Sequence, residues 1–230
     1  MVAVALGLLT LLWGADALAR WGAESLLERN IQDVTGVATR PEVEVSGAFF
    51  LPQVIRGAYS HVDVTTRGVS SGPLRVDRVE SRLTDVRVPF HDVLVQDVRR
   101  VGVGRSQEHV VLRYEDLNAY FAATGRPLAV GPGADGGLVL QGTVNVLGRE
   151  IRADADVQLS ARAETLRLTP GRIDSGSAAL DQASRLLLTQ RLTLTVPLAT
   201  LPFGHQVTGV RAGPEVVELD AEGYGLVLQP

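Results

Sequence analysis

The feature that most constrains the fold of this chain is a long stretch in which apolar and polar residues alternate. From Tyr59 to about Val111, apolar residues two positions apart recur in short runs separated by turns, as Val62 and Val64 do near its start. This alternation is typical of strands with one buried and one solvated face. The short linkers between the runs favour an antiparallel meander. The sequence therefore predicts several neighbouring strands that share one apolar face.

Three other segments show helical spacing instead. They are residues 16–35, 114–124 and 178–190. In the first of these, Ala23, Leu27 and Ile31 fall on one side of the predicted helix, and polar residues fall elsewhere. Between the second and third segments, residues 138–146 and 151–159 predict a β-hairpin. Strands and helices together predict an α+β fold.

The densest apolar cluster of the chain is Phe49-Phe50-Leu51, which lies between two predicted strands. Adjacent strand residues point to opposite faces, so Phe49 and Phe50 cannot both enter a core if this piece is extended. Gly47 before the cluster and Pro52 after it favour a bent path. A bent apolar tip can insert into a membrane or cap an apolar groove, whereas a core corner buries both rings. Both interpretations stay open at this stage.

The chain from Met1 to Trp13 is almost wholly apolar, which is short for a membrane span and typical of a signal-peptide core. Ala15-Asp16-Ala17 and Ala17-Leu18-Ala19 both fit a small-x-small cleavage pattern, but no basic residue precedes the apolar run. Residues 1–19 are therefore expected to be a signal peptide or a membrane anchor, and residues 20–230 a single domain. A buried core helix is the alternative, which the lack of a helical stripe disfavours.

Composition excludes several kinds of protein and site. The chain has 230 residues, a net charge of -4 and 45% apolar residues, so it is neither a disordered chain nor a general nucleic-acid binder. It contains no cysteine, which excludes disulfides, thiol catalysis and cysteine-ligated metals. The four histidines show no metal-ligand spacing.

Two glycine-rich motifs lack the surroundings that their chemistry needs. Residues 68–72 satisfy G-x-S-x-G around Ser70, but a hydrolase elbow needs a following helix, and a strand pattern follows here. Residues 131–136 satisfy the dinucleotide pattern but contain Pro132 and lie between strand patterns. The sequence offers no credible catalytic set. We therefore expect a protein that is not an enzyme and needs no cofactor or metal.

Four short motifs, taken in order and with their spacing, resemble those of a known family. They are Gly47-Ala48-Phe49-Phe50-Leu51, Gly57-Ala58-Tyr59, Arg87-Val88-Pro89 and Leu201-Pro202-Phe203-Gly204. With the apolar N-terminal segment, they make the chain similar to the LmeA-like phospholipid-binding family of actinobacterial envelope proteins. Phe49 departs from the family pattern, which often has proline at that position.

The resemblance implies a tubular lipid-binding (TULIP)-like fold, in which a long curved antiparallel β-sheet wraps two or three amphipathic helices around an apolar groove. It implies an exported, periplasmic or membrane-anchored protein that binds phospholipid at a membrane surface, with lipid transfer as a further role in envelope lipid or lipoglycan maintenance. The candidate lipid-binding residues are Phe49, Phe50, Leu51, Ile55, Tyr59, Phe121, Leu201 and Phe203. The alternatives are a structural or scaffolding envelope domain with a filled core, and a hydrolase that uses Ser70.

Overall fold

The computed structural model describes residues 2–35, 37–94, 100–133, 136–146, 149–162, 165–174, 182–198 and 206–228. It contains both helices and strands, which confirms the predicted α+β class. The helices are α1 (Val2–Thr35), α2 (Phe50–Arg56), α3 (Phe90–Leu94), α4 (Tyr114–Ala123) and α5 (Gln182–Leu192). The strands are β1 (Glu42–Ser46), β2 (Ala58–Ser71), β3 (Leu74–Arg87), β4 (Val101–Arg113), β5 (Leu128–Pro132), β6 (Leu138–Val146), β7 (Arg149–Arg162), β8 (Thr165–Asp174), β9 (Leu194–Pro197), β10 (Gln206–Ala212) and β11 (Val216–Leu228).

The strands form two antiparallel sheets, whereas the resemblance implies one long curved sheet. The first sheet has the order β1-β2-β3-β4-β11-β10, and the second has the order β5-β6-β7-β8-β9. Helix α4 follows β4 directly, so the chain leaves the first sheet there and β5 begins the second. The predicted hairpin is confirmed as β6 and β7, with Leu138 opposite Val157 and Val146 opposite Arg149.

By its internal contacts the chain groups into two compact units. Unit 1 contains Met1–Arg67, Val79–Glu108 and Gly223–Pro230, and unit 2 contains Gly68–Arg78 and His109–Glu222. Each unit has its own buried apolar side chains.

The core of unit 1 is built from apolar residues of β1 to β4 together with one ring of α2. Its buried members are Val43, Val45, Phe50, Val62, Leu83, Val86 and Val103. Helix α1 packs against this cluster through Ala19, Ala23 and Ile31. Leu27, predicted on the same side of that helix, is exposed, so the predicted apolar side is only partly buried.

The core of unit 2 is built from two helices and the second sheet. Leu117 and Phe121 of α4 are fully buried, and so are Leu188 and Leu192 of α5, which contacts β6 and β8. Asn118 holds α4 to β5 through Val130. Its side-chain N–H donates to the carbonyl of Val130 at 3.0 Å, and its side-chain oxygen accepts from the N–H of Val130 at 2.7 Å. The helix predicted over residues 114–124 is confirmed.

Two other elements differ from the sequence-based prediction. Helix α1 begins at Val2, whereas the sequence predicts a helix that begins at residue 16. Helix α3 directly follows Pro89, where the sequence predicts a turn and then another strand. Pro89 explains this difference, because it has no N–H for a strand ladder and its carbonyl accepts a hydrogen bond from Asp92 at 3.0 Å, which starts a helical turn. None of the described helices combines the length and the hydropathy that a membrane crossing needs.

Candidate lipid-binding site

An apolar tip on unit 1 is the strongest candidate site. It comprises the exposed side chains of Phe49, Leu51 and Ile55, on and just before helix α2. Phe49 is 56% exposed and Ile55 is 67% exposed, whereas Phe50 is 4% exposed and belongs to the unit 1 core. Phe49 has an extended backbone and Phe50 is the first helical residue. The chain bends between them, as the sequence predicts, and the neighbouring rings have opposite surroundings.

Gln53 fixes the shape of the tip from inside. Its side-chain N–H donates to the carbonyl oxygens of Phe49 at 3.0 Å and Ser46 at 3.4 Å. Its side-chain oxygen accepts from the backbone N–H of Ser60 at 3.2 Å. Gly47 has a φ of +136°, and a side chain there would collide with the Gln53 amide. The tip is therefore held by specific contacts and requires glycine before it.

Gly57 ends α2 and ties the tip to the end of β3. Its φ is +61°, and its N–H donates to the carbonyl of Val54 at 3.0 Å. Its own carbonyl accepts from the N–H of Val88 at 3.0 Å. Phe90, another exposed apolar side chain, is the first residue of α3, and α3 contacts α2. Sequence reasoning missed Phe90, because it lies outside the motif around Phe49.

A carboxylate from helix α1 holds the first turn of α2. Asp16 is buried, and its Oδ2 and Oδ1 accept hydrogen bonds from the N–H groups of Phe50 at 2.9 Å and Leu51 at 2.7 Å. Phe49 offers no side-chain cap, so Asp16 satisfies N–H groups that α2 cannot satisfy itself. Burial raises the pKa of Asp16, but the two hydrogen bonds and Arg20 outweigh it and hold that pKa below its ordinary value.

Of the other predicted lipid-binding residues of unit 1, Phe50 is buried and Tyr59 is partly buried against the core. Phe50 and Tyr59 contact each other, with ring centroids 6.1 Å apart and a tilt of 39°. Burial raises the pKa of the Tyr59 hydroxyl. Of the six predicted residues that the structure describes, it brings Phe49, Leu51 and Ile55 together at the surface and places Phe50 beneath them.

The remaining predicted residues are not part of the tip. Phe121 is fully buried in the core of unit 2, in edge-on contact with Tyr120 at 5.8 Å, so its ring has no surface open to a ligand. Leu201 and Phe203 lie outside the described residues.

Each glycine motif begins within one strand and is followed by the next strand. The G-x-S-x-G motif around Ser70 covers the end of β2, and β3 begins at Leu74, so a strand stands where a hydrolase elbow needs a helix. The dinucleotide pattern lies between β5 and β6, where the N–H of Gly133 donates to the carbonyl of Gly137 at 2.8 Å. Among the described residues, no group of three or more side chains is arranged to hold a metal ion.

Each unit also carries a surface cavity bordered by arginine. The cavity of unit 1, about 480 Å³, is bordered by Trp21 and by Arg40, whose Nε lies 3.0 Å from a carboxylate oxygen of Glu28. The cavity of unit 2, about 890 Å³, is bordered by Arg126 and Arg152. The Nη1 atom of Arg126 is buried and has no hydrogen-bond partner in the described part of the chain. These guanidinium groups give the second cavity a positive lining, in contrast to the apolar tip.

Comparison with known proteins identifies the family. No curated protein and no solved structure matches the chain significantly. The sequence model of the LmeA-like phospholipid-binding family matches residues 14–222, a span that begins just before Asp16 and includes the whole tip. This match confirms the resemblance seen in the four short motifs. The chain therefore belongs to the LmeA-like phospholipid-binding family.

Proposed function

We propose that this chain binds phospholipid at a membrane surface of the cell envelope, and that it does so through the apolar tip. Family membership supports phospholipid as the ligand class. The observation that carries the assignment to the tip is the exposure of Phe49, Leu51 and Ile55 on a helix held by Asp16 and Gln53. A surface that is ordered in advance loses little conformational entropy when it binds.

The exposed side chains supply a useful free energy. Fully burying an apolar side chain of this size contributes about 1.5–3 kcal/mol. Scaled by the exposed fractions of 56%, 37% and 67%, transfer of the three side chains into acyl chains contributes about 2.5–5 kcal/mol. That free energy changes a dissociation constant by roughly two to four orders of magnitude. The tip alone therefore suits reversible contact with lipid.

Three finer statements belong to the same proposal: an extracytoplasmic location, a role in lipid transfer that supports envelope lipid or lipoglycan maintenance, and a TULIP-like fold. The apolar N-terminal segment and the family support them. A C-terminally tagged chain should fractionate with the envelope and should speed exchange of a fluorescent phospholipid between donor and acceptor vesicles. Recovery in the cytosol alone argues against the location, and binding without exchange argues against transfer. A solved structure with bound lipid tests the fold assignment.

Vesicle binding of matched variants tests the tip. Ile55→Ala removes three carbon atoms at about 0.8 kcal/mol each, so at 67% exposure it should weaken binding to phosphatidylcholine–phosphatidylglycerol vesicles by about 5- to 15-fold. Leu186→Ala removes the same number of carbon atoms from a side chain on α5 that is 72% exposed, and it should leave binding unchanged. Neither substitution should shift the melting temperature. Equal effects of the two substitutions, or none, would argue against the tip.

A structural envelope domain with a filled core is the competing role. The buried rings of Phe50 and Phe121 are compatible with both roles. The presence or absence of bound phospholipid distinguishes the two roles. Mass spectrometry of an organic extract of the purified protein should show phospholipid in a fixed ratio to protein. A lipid-free extract, together with unchanged vesicle binding by Ile55→Ala, would favour the structural role.

A further inference from the structure

Helix α1 is an integral part of unit 1 from Asp16 onward. In addition to the two hydrogen bonds of Asp16, Arg20 donates to the carbonyl of Gly47 at 2.8 Å, and Glu24 accepts from the N–H of Val45 at 2.9 Å. Steps of four residues place these three side chains along one side of the helix. Val45 lies on β1, the edge strand of the first sheet. The helix therefore covers an open strand edge as well as the start of α2.

The predicted cleavage positions fall inside this contact region. Cleavage after Ala17 or Ala19 would remove Asp16 and, with it, both acceptors for the first turn of α2. Helix α1 passes through both positions without interruption. The N–H of Phe50 is buried, so the loss of its acceptor would cost free energy, and Phe49 has no side-chain cap to replace Asp16. The contacts of Asp16 thus favour a chain that keeps this segment.

Before Asp16, the same helix exposes apolar side chains on every side. The exposed residues from 6 to 13 are 57–72% exposed, and they are Leu6, Leu8, Leu9, Leu11, Leu12 and Trp13. No charged residue occurs in residues 1–15. A groove on a protein takes one apolar stripe of a helix, whereas a helix that is apolar all round fits the interior of a bilayer. The chemistry of this half of α1 therefore matches lipid better than a protein partner.

The apolar half of α1 ends at Asp16, beside the tip. Asp16 is the first charged residue of the chain, and its direct contacts with the start of α2 place Phe49 and Leu51 beside it. Trp13 and Trp21 are both exposed near this point, and tryptophan is enriched where a membrane meets water. Two parts of the sequence that are more than thirty residues apart thus lie beside each other.

We infer that residues 2–15 form a retained helix embedded in a phospholipid bilayer, and that Asp16 couples this helix to the tip. As an α-helix these residues extend about 21 Å, against roughly 30 Å for the hydrocarbon core. The bilayer as partner rests on the proposed function, whereas retention of the helix rests on the contacts of Asp16. Anchoring raises the local concentration of the tip at the membrane, so a modest tip affinity is sufficient.

The N-terminus of the exported protein tests retention. The full chain with a C-terminal tag is expressed in an export-competent bacterial host, and the envelope fraction is analysed by intact mass. The mass should include the residues before Asp16, and the protein should resist extraction by high salt and yield to detergent. A mature N-terminus immediately after Ala17 or Ala19 would overturn the inference.

Charged substitutions in the exposed helix test the bilayer as its partner. Leu8→Asp combined with Leu12→Asp should weaken vesicle binding at least 100-fold and leave the melting temperature unchanged, because both side chains are exposed. Leu186→Asp on α5 is the control and should bind as wild type does. Unchanged binding by the double variant refutes the bilayer as partner. So does a wild-type chain that pairs through this helix without binding vesicles.

Hydrogen exchange tests the coupling through Asp16. Asp16→Ala should speed amide deuterium exchange in residues 47–57 at least tenfold, and Asp16→Asn, which keeps one acceptor oxygen, should speed it less. Asp154→Ala on β7 removes an exposed carboxylate and should have no effect there. If Asp16→Ala unfolds unit 1, Asp16→Asn provides the measurement. Unchanged exchange in the variant that folds refutes the coupling.

The variants separate the two proposals. If the Leu8→Asp/Leu12→Asp variant loses vesicle binding while Ile55→Ala retains it, the result supports the embedded helix and contradicts the tip as the lipid-binding site. If Ile55→Ala loses binding while the double variant retains it, the tip stands and the anchored helix fails.

Discussion

Replacing Glu108 by glutamine is expected to remove a large part of the pH dependence of stability in unit 1. Glu108 is buried on β4, and its Oε1 lies 3.5 Å from Oγ of Ser81. Burial raises the pKa of Glu108 from an ordinary value of 4.5 to about 8, against the smaller, opposite effect of the hydrogen bond from Ser81. At pH 7 the folded chain therefore holds a proton that the unfolded chain releases.

The sign and size of the effect follow from this proton. Between pH 4.5 and about 8 the folded state binds more protons than the unfolded state, so the free energy of unfolding falls as pH rises. The stabilisation is fully present below about pH 4.5 and is lost as the pH rises through 8. At 1.36 kcal/mol per pH unit, this interval corresponds to at most about 4–5 kcal/mol.

Urea unfolding in a mild neutral detergent, at pH values from 5 to 8, measures the effect. Glutamine has the shape of the protonated glutamic acid, so Glu108→Gln should match wild type near pH 5 and exceed its free energy of unfolding by several kcal/mol at pH 8. Glu150→Gln, at an exposed position on β7, should run parallel to wild type and serves as the control. If the free energies of unfolding of wild type and Glu108→Gln changed in parallel across this pH range, Glu108 would not hold a proton in the folded state at pH 7.

Further predictions concern the tip and the serine motif. Phe50→Ala should lower the free energy of unfolding by about 3–5 kcal/mol and Phe49→Ala by less than about 1 kcal/mol, because only the first ring is buried; equal losses in denaturant unfolding would contradict this. Gly57→Ala should lower the melting temperature of the protein more than Gly125→Ala does. Both glycines have positive φ, but only at Gly57 would a Cβ come within 2.5 Å of a backbone oxygen, and similar shifts would speak against that close approach. Ser70→Ala should leave vesicle binding unchanged, and fluorophosphonate labelling of wild type but not of this variant would favour a hydrolase.

The strands were predictable because side-chain direction in a strand is a local property. Alternation placed Val62 and Val64 on one apolar face; Val62 is buried in the core of unit 1, and Val64 packs against that core. The hairpin of β6 and β7 was predictable for the same reason. The family was also readable from short motifs, since their order and spacing along the chain need no tertiary information.

The division into two sheets and the position of each ring depended on tertiary packing. Alternation alone could show that Phe49 and Phe50 do not share one face, but not which of them enters the core. The choice was made where α2 starts, because Phe50 fills the space among the valines of β1 to β4. Packing also decided the position of Phe121, because the face of α4 that carries this ring is buried in the core of unit 2.

The role of Asp16 depended wholly on the folded structure. In the sequence it is one polar residue in a small-x-small pattern, which predicts cleavage. In the fold it accepts hydrogen bonds from N–H groups 34 and 35 residues further along the chain. A sequence pattern describes neighbours along the chain, whereas the donors left at a helix start are satisfied by whichever acceptor packing brings near. That is why the strands could be predicted and the connection between the N-terminal helix and the apolar tip could not.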